Sequence, residues 1–293
     1  MDCRCPLSPP PRNVPSPGGC GTCGARGRLL EILTYIVLLA AGVLAGVMNT
    51  VGGGGSILTI PALIFLGGLS GPDANATNRI GIISQNIVGV RQFRRGGVQE
   101  DFLSLRLGIA ALIGAVPGAL CAAYIPKEQF NLLLGVIMLA LLALILARPK
   151  SLPRDGPPIN PWLTMTARHK GISLVLFAGI GFYMGFLQAG AGIMILAALG
   201  WLMRLDLVRG NYIKLVLTLV VNMLALVIFS MSSLKIDWYA GIAIFIGQIG
   251  GAFIGSWVAL HRGEKWITAI LTICILASSS ELLGLNKWIA GLF

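Results

Sequence analysis

A chain of 293 residues that is 56% hydrophobic and 11% charged, with a mean hydropathy of +0.84, is too apolar for an ordinary soluble domain, in which about a quarter of residues are charged. Its net charge of +11 does not point to nucleic acid, because Lys and Arg gather at the ends of apolar segments and in one central loop, where orientation across a bilayer accounts for them. Apolar runs of about 20 residues, each able to cross a hydrocarbon core of ~30 Å, recur along the chain and predict an all-α integral membrane bundle with no room for a separate soluble domain.

Residues 1–28 read as a disordered tail rich in Cys, Pro, Gly and Arg. Cys3, Cys5, Cys20 and Cys23 form C-x-C and C-x-x-C pairs, but neither His nor foldable sequence surrounds them, so no metal is expected. The run from Leu29 is long and lacks a cleavage site, which argues against a signal peptide. Ten apolar segments follow, at 29–51, 55–69, 76–93, 103–125, 129–147, 171–188, 191–203, 211–231, 238–260 and 266–284, the second and seventh being short. Between the fifth and sixth, residues 148–170 carry Arg148, Lys150, Arg154, Arg168 and Lys170 against Asp155 alone. This stretch reads as a basic cytoplasmic linker between a first membrane repeat, 29–147, and a second, 171–293.

The halves resemble each other. GVLAGVMNTVGGGG from Gly42 matches GFYMGFLQAGAG from Gly181, each running from Gly-x-x-x-Gly through one polar residue, Asn49 or Gln188, to a glycine-rich break. Asn78 and Asn86 share their spacing with Lys214 and Asn222, and Gly114, Gly118 and Ala122 share theirs with Gly247, Gly251 and Gly255. Five segments per half predict inverted repeats, and the charges agree: with the linker inside, Arg94, Arg95, Arg204, Arg209, Arg262 and Lys265 fall inside, and the lightly charged turns at Lys127/Glu128 and Lys235/Asp237 fall outside. Arg26 and Arg28 dissent, since full crossings leave them outside; re-entrant short segments would move the termini.

Non-helical backbone survives at membrane depth only where protein or a wet cavity surrounds it. Gly52–Gly55, with Gly53 and Gly54 at its centre, therefore predicts a helix break, with Ser56 placed to cap the short helix that follows; Gly190 and Gly192 offer the same device in the second half. Two half-helix N-termini aimed at one site make a cradle for an anion. A phosphate loop is excluded, since no Lys follows the glycines. Elsewhere, at Gly42, Gly46, Gly114, Gly118, Gly247 and Gly251, close helix packing is the preferred reading.

Lys214, Thr218 and Asn222 lie at i, i+4 and i+8, a polar stripe matched by Asn78 and Asn86. Arg79 and Lys214 are the candidate cations, with snorkelling to an interface as the competing reading; Gln85 and Gln248 are secondary candidates. None of the 11 acids sits in mid-segment and the two His residues lie at loop borders, so neither a carboxylate relay nor metal or nucleophilic catalysis has obvious material, and no cofactor and no enzyme activity are expected.

GVMNTVGGGGSILTIPALIFLG followed by ATNRIGIISQN, then GFYMGFLQAGAG, KLVLTLVVNMLAL and GQIGGAFIGSWVA, resemble the sulfite exporter TauE/SafE family of permeases, also called the toluene sulfonate uptake permease family, over residues 35–284. The resemblance implies a multi-pass carrier of the bacterial inner membrane that moves sulfite, sulfonates or related organosulfur anions by alternating access. Its substrate region would comprise Asn49, Gly53, Gly54, Thr77, Asn78 and Asn86, with Gly190, Gly192, Lys214 and Asn222 opposite. The family's pattern often places Asp where Asn49 and Met184 stand, a departure that bears on proton coupling. The expected partners are a small anion and the bilayer, with no nucleic acid and with a homodimer left open. A non-transporting scaffold or an intramembrane enzyme is the alternative.

Overall fold

The computed structural model describes residues 21–146 and 161–261; Cys3, Cys5, Cys20, most of the basic linker and the tenth predicted segment, 266–284, lie outside the described residues. Every regular element among the described residues is helical: α1 (Gly21–Val51), α2 (Ser56–Phe65), α3 (Gly71–Arg95), α4 (Asp101–Tyr124), α5 (Lys127–Leu146), α6 (Pro161–Thr164), α7 (Ala167–Phe186), α8 (Ala191–Met203), α9 (Leu207–Ser230) and α10 (Trp238–His261). α1 starts ahead of its apolar segment because Ala25, Arg26 and Arg28 are good helix formers and nothing breaks the helix before Leu29.

Polarity runs outside-in. Stretches of α1, α4, α7, α9 and α10 are long and apolar enough to cross a membrane. Ile113, Val175, Trp201 and Ile246 face outward, while α3 buries Asp73, Asn75, Thr77, Asn78, Arg79, Ser84, Gln85 and Asn86. An apolar exterior around a polar interior is the distribution a lipid solvent demands, and this chain is a multi-pass membrane protein.

Small residues decide which helices touch. A Cβ on Gly42 would meet Ile244 O at 3.0 Å and one on Gly46 would meet Gln248 O at 2.6 Å, so α1 and α10 run side by side in the same direction with backbones in contact. Likewise a Cβ on Gly114 would lie 1.8 Å from Ala178 O and one on Gly118 2.0 Å from Phe182 O, which joins α4 to α7. The pairing is crosswise: the first helix of each predicted half lies against the fourth of the other.

Contacts also set directions. Ser84 of α3 bonds Phe245 O of α10, and farther along Gly96 meets Leu260, so these two are parallel. Gly108 of α4 meets Val220 of α9, while nearer both N-termini Asp101 accepts from Tyr212. By contrast α3 and α9 are antiparallel, with Arg79 against Asn222, Gly89 against Leu215 and Arg94 against Tyr212.

Thus α1, α3 and α10 point one way and α4, α7 and α9 the other. Since α2 joins the end of α1 to the start of α3, it must double back: Gly55 packs on Ala45 O, and Thr59 bonds Asn78. The same logic makes α8 the return limb between α7 and α9. Doubling back alone fits a crossing as well as a re-entrant limb. The 10 residues of α2 and 13 of α8, however, reach only about 15 Å and about 20 Å, short of a ~30 Å hydrocarbon core. The two short segments, counted as crossings in the sequence reading, are therefore re-entrant limbs of hairpins. Face assignments are unchanged, because a returning limb brings the chain to the same side as a crossing would. One end of the bundle gathers Arg94, Arg95, Arg209, Glu100 and Asp101, and the other gathers Asp73, Lys127 and Lys235.

Gly114→Leu must push α4 off α7, and the expected result is a drop of more than about 5 °C in the Tm of the detergent-purified protein. Gly250→Ala, where no atom lies within 4 Å of a new Cβ, is expected to leave Tm unchanged.

Candidate functional site: two hairpin tips and two crossing cations

α1 stops where four glycines remove the side chains that would favour a helix. Gly53 adopts φ +87°, open to glycine at no steric cost, and the chain turns back. The first open N–H of the returning limb, that of Gly55, donates to Asn49 Oδ1 at 2.6 Å, and Asn49 Nδ2 donates to Gln85 Oε1 at 3.3 Å. The expected cap at Ser56 does not form. Gly55 is the N-cap residue, with no side-chain cap bond of its own, and Ser56 is already the first helical residue. The tight turn lays the last turn of α1 beside the start of α2, so Asn49 reaches the open donor first.

The second tip, at Leu187–Gly190, is built differently. Gln188 (φ +69°) and Gly190 (φ +67°, the N-cap of α8) take the left-handed conformations, and the Tyr183 hydroxyl donates to Ala189 O. The tips touch: a Cβ on Gly53 would lie 2.3 Å from Gly192 Cα, and one on Gly192 2.5 Å from Gly53 Cα.

Each tip receives a cation from the other half. Arg79 of α3 donates from Nη1 to Met184 O (2.7 Å), Asn222 Oδ1 (2.9 Å) and Gln188 Oε1 (3.3 Å), and from Nη2 to Gly185 O (3.0 Å). Its guanidinium also lies 5.4 Å from the Phe229 ring centroid. Lys214 of α9 donates to Asn49 O (2.6 Å), Asn211 Oδ1 (2.7 Å) and Thr50 O (3.1 Å). Both cations thereby satisfy open carbonyls in the last turns of α7 and α1, where the helix dipole is negative. Snorkelling does not describe either side chain, since Arg79 is 0% and Lys214 1% exposed. Neither takes part in an ion pair among the described residues.

The remaining candidates divide by their bonds. Thr77 accepts from Asp237 N (3.1 Å) and Thr218 donates to Lys214 O (2.8 Å), so both hydroxyls tie backbone. Asn78 accepts from Thr59 (2.7 Å) and Asn222 donates to Thr218 O (2.6 Å) while accepting from Arg79. Among the described residues four buried side-chain nitrogens have no partner, Asn78 Nδ2, Arg79 Nε, Asn86 Nδ2 and Gln248 Nε2, and neither do the Thr50 and Ser256 hydroxyls or the acceptors Asn75 Oδ1 and Gln248 Oε1. Asn211 and Tyr183 were missed by the sequence reading. Asn211 lies one turn before Lys214 on the same stripe, a signal present but not followed; Tyr183 lies within the quoted repeat and carries no polar neighbour in sequence to mark it. Among the described residues no group of three or more His, Cys, Asp or Glu side chains comes together.

Two re-entrant hairpins meeting inside a helical bundle, with a buried Arg and a buried Lys behind them, define a multi-pass membrane protein with a buried polar interior. The chain belongs to the sulfite exporter TauE/SafE family, whose model matches residues 38–282, and that family is one of membrane transporters. Similar proteins include the probable membrane transporter protein YfcA of Escherichia coli K12, 29% identical over 87% of this chain and 90% of the relative. The probable membrane transporter protein ORF9 of a Sinorhizobium species is 27% identical over 84% and 91%, and the probable membrane transporter protein YunE of Bacillus subtilis 21% identical over 86% and 98%. No solved structure matches the chain.

Asn49→Ala strands the Gly55 N–H, and the expected cost is about 1–3 kcal/mol of stability. Asn49→Asp keeps the acceptor and is expected to unfold closer to the wild type; thermal melts of the three proteins in one detergent check the order.

Proposed function

We propose that this protein is a secondary carrier for small oxyanions of the sulfite and sulfonate class, bound between the two hairpin tips. The observation that carries the reading is the excess of buried donors: two cations without a carboxylate partner, and unpartnered N–H groups on Asn78, Arg79 and Asn86. In a low-dielectric interior unpaired positive charge is costly, and an anion lowers that cost. The name of the family, sulfite exporter, supplies the oxyanion class.

In the proposed mechanism the anion meets Arg79 Nε together with the amides of Asn78 and Asn86, while Asn222, Gln188 and Lys214 hold the cradle in register. The short helices α2 and α8 start at these touching tips, and their first backbone N–H groups would add to the cradle. Arg79 already spends its terminal nitrogens on Met184 O and Gly185 O. An anion drawn to Nε would pull the guanidinium toward itself and away from those carbonyls, loosening the α7–α8 hairpin from α3, the differential contact that a ligand-driven change of state requires. The antiparallel crossing of α3 and α9, together with the crosswise helix pairing, supports inverted repeats that rock about this crossing. The end carrying Arg94, Arg95 and Arg209 is the cytoplasmic one by the positive-inside rule.

Purified protein in liposomes is expected to take up sulfite or a small sulfonate saturably under an imposed gradient. Arg79→Lys keeps the charge but loses the planar fork and Nε, and is expected to lower uptake about 10-fold or more, the effect of one lost charge-assisted bond. Absence of saturable flux for sulfite, sulfonates, sulfate and carboxylates alike, in protein with a wild-type melting curve, would overturn the reading in favour of a non-transporting role.

A further inference from the structure

A groove of about 410 Å³ lies on the outside of the bundle between α3 and α9, lined by Ile87, Val90, Arg91, Arg94, Arg95 and Leu219. It lies apart from the donors described above: Arg95 comes nine positions after Asn86, and at 3.6 residues per turn it stands on the opposite side of α3. Arg94 is anchored, Nε to the Tyr212 hydroxyl at 2.9 Å and Nη2 to Asp101 at 2.8 Å. Arg91 and Arg95 are exposed and make no hydrogen bond or ion pair among the described residues, so two guanidinium groups stand beside a fixed third. The walls change character with depth. The arginines occupy the last two turns of α3, and Val90, Ile87 and Leu219 continue the groove inward as apolar floor over about 10 Å, with Ile87 52% exposed.

From this gradient we infer that the groove binds an anionic phospholipid, its phosphate held by Arg91 and Arg95 and its first acyl carbons lying on Val90, Ile87 and Leu219. A small soluble anion needs the charges but has no use for the apolar floor, and a zwitterionic lipid matches the floor but brings a cation to the arginines. The site lies at the basic end of the bundle, where the positive-inside rule places the cytoplasmic leaflet and its anionic lipids. Bidentate geometry makes Arg the side chain suited to phosphate oxygens, and Arg94, tied to α4 and α9, keeps the floor of the site rigid. The lipid would bridge α3 and α9, the two helices that cross at the centre of the fold, and so would bear on stability whatever the substrate proves to be.

The test is the Tm of the full chain in mild detergent with added phosphatidylglycerol, phosphatidylcholine or inorganic phosphate. Phosphatidylglycerol is expected to raise Tm by about 5 °C, the size of shift that a ligand well above its Kd gives a protein of this length, and phosphatidylcholine and phosphate are expected to do little. The double variant Arg91→Gln/Arg95→Gln is expected to lose the shift, and Arg91→Lys/Arg95→Lys to keep part of it, with native mass spectrometry showing one fewer retained phosphatidylglycerol in the Gln variant. An equal rise with inorganic phosphate would make this a free-anion site, and an unchanged lipid shift in the Gln variant would move lipid binding elsewhere; either result overturns the assignment. Because binding is read without transport, its failure leaves the carrier reading untouched.

Discussion

The constraint on which this structure rests is that a backbone broken inside a bilayer must still satisfy its carbonyls. α1 and α7 stop short of a full exit, and water is not there to receive their last oxygens. Two long basic side chains do the work, each sent from the opposite half, Lys214 to Asn49 and Thr50 and Arg79 to Met184 and Gly185. A local Lys on the same helix would have capped one end without binding the halves. The crossed arrangement makes each hairpin a structural dependant of the other half's central helix.

That dependence explains the distribution of residue types. α3 and α9 must carry polar groups through the bilayer, so they are placed at the centre, covered by helices whose outer faces are apolar. Covering them closely enough requires backbones to touch, which is why glycine and alanine fill the α1–α10 and α4–α7 seams. Charge is then left for the ends, where Arg94, Asp101 and Tyr212 join three helices at one side and Asp73 accepts from Lys235 N at the other. On the proposed reading the same economy serves function, since donors needed to hold the tips are the ones an oxyanion would recruit.

Much of this was legible in the chain. Nine of the ten apolar segments, the glycine breaks and the polar stripe of α9 all follow from spacing and hydropathy, because the membrane enforces those patterns strictly; the tenth segment lies outside the described residues. Hairpin reversal was not legible: a short apolar limb looks the same whether it crosses or returns until its helix bounds are known, and the 10 residues of α2 reach only about 15 Å. The capping assignment failed for a related reason. Ser56 has the right chemistry and the adjacent position, but Asn49 is brought to Gly55 by a turn whose tightness depends on Gly53 at φ +87° and on contact with Gly192, a residue of the other half. Nor does sequence reveal whether Arg79 faces a ligand or a carbonyl, since both demand the same buried cation.

Crosswise seams also have a consequence for how the protein is made. α1 leaves the ribosome about 200 residues before α10, its partner along Gly42 and Gly46, so the contact is among the least local a chain of this size can make. Until then the first half waits in the bilayer with its small-residue face uncovered and the α1 carbonyls without Lys214. Neither half is therefore complete by itself: the contacts that close the end of α1 come from α9 and α10, the last helices among the described residues.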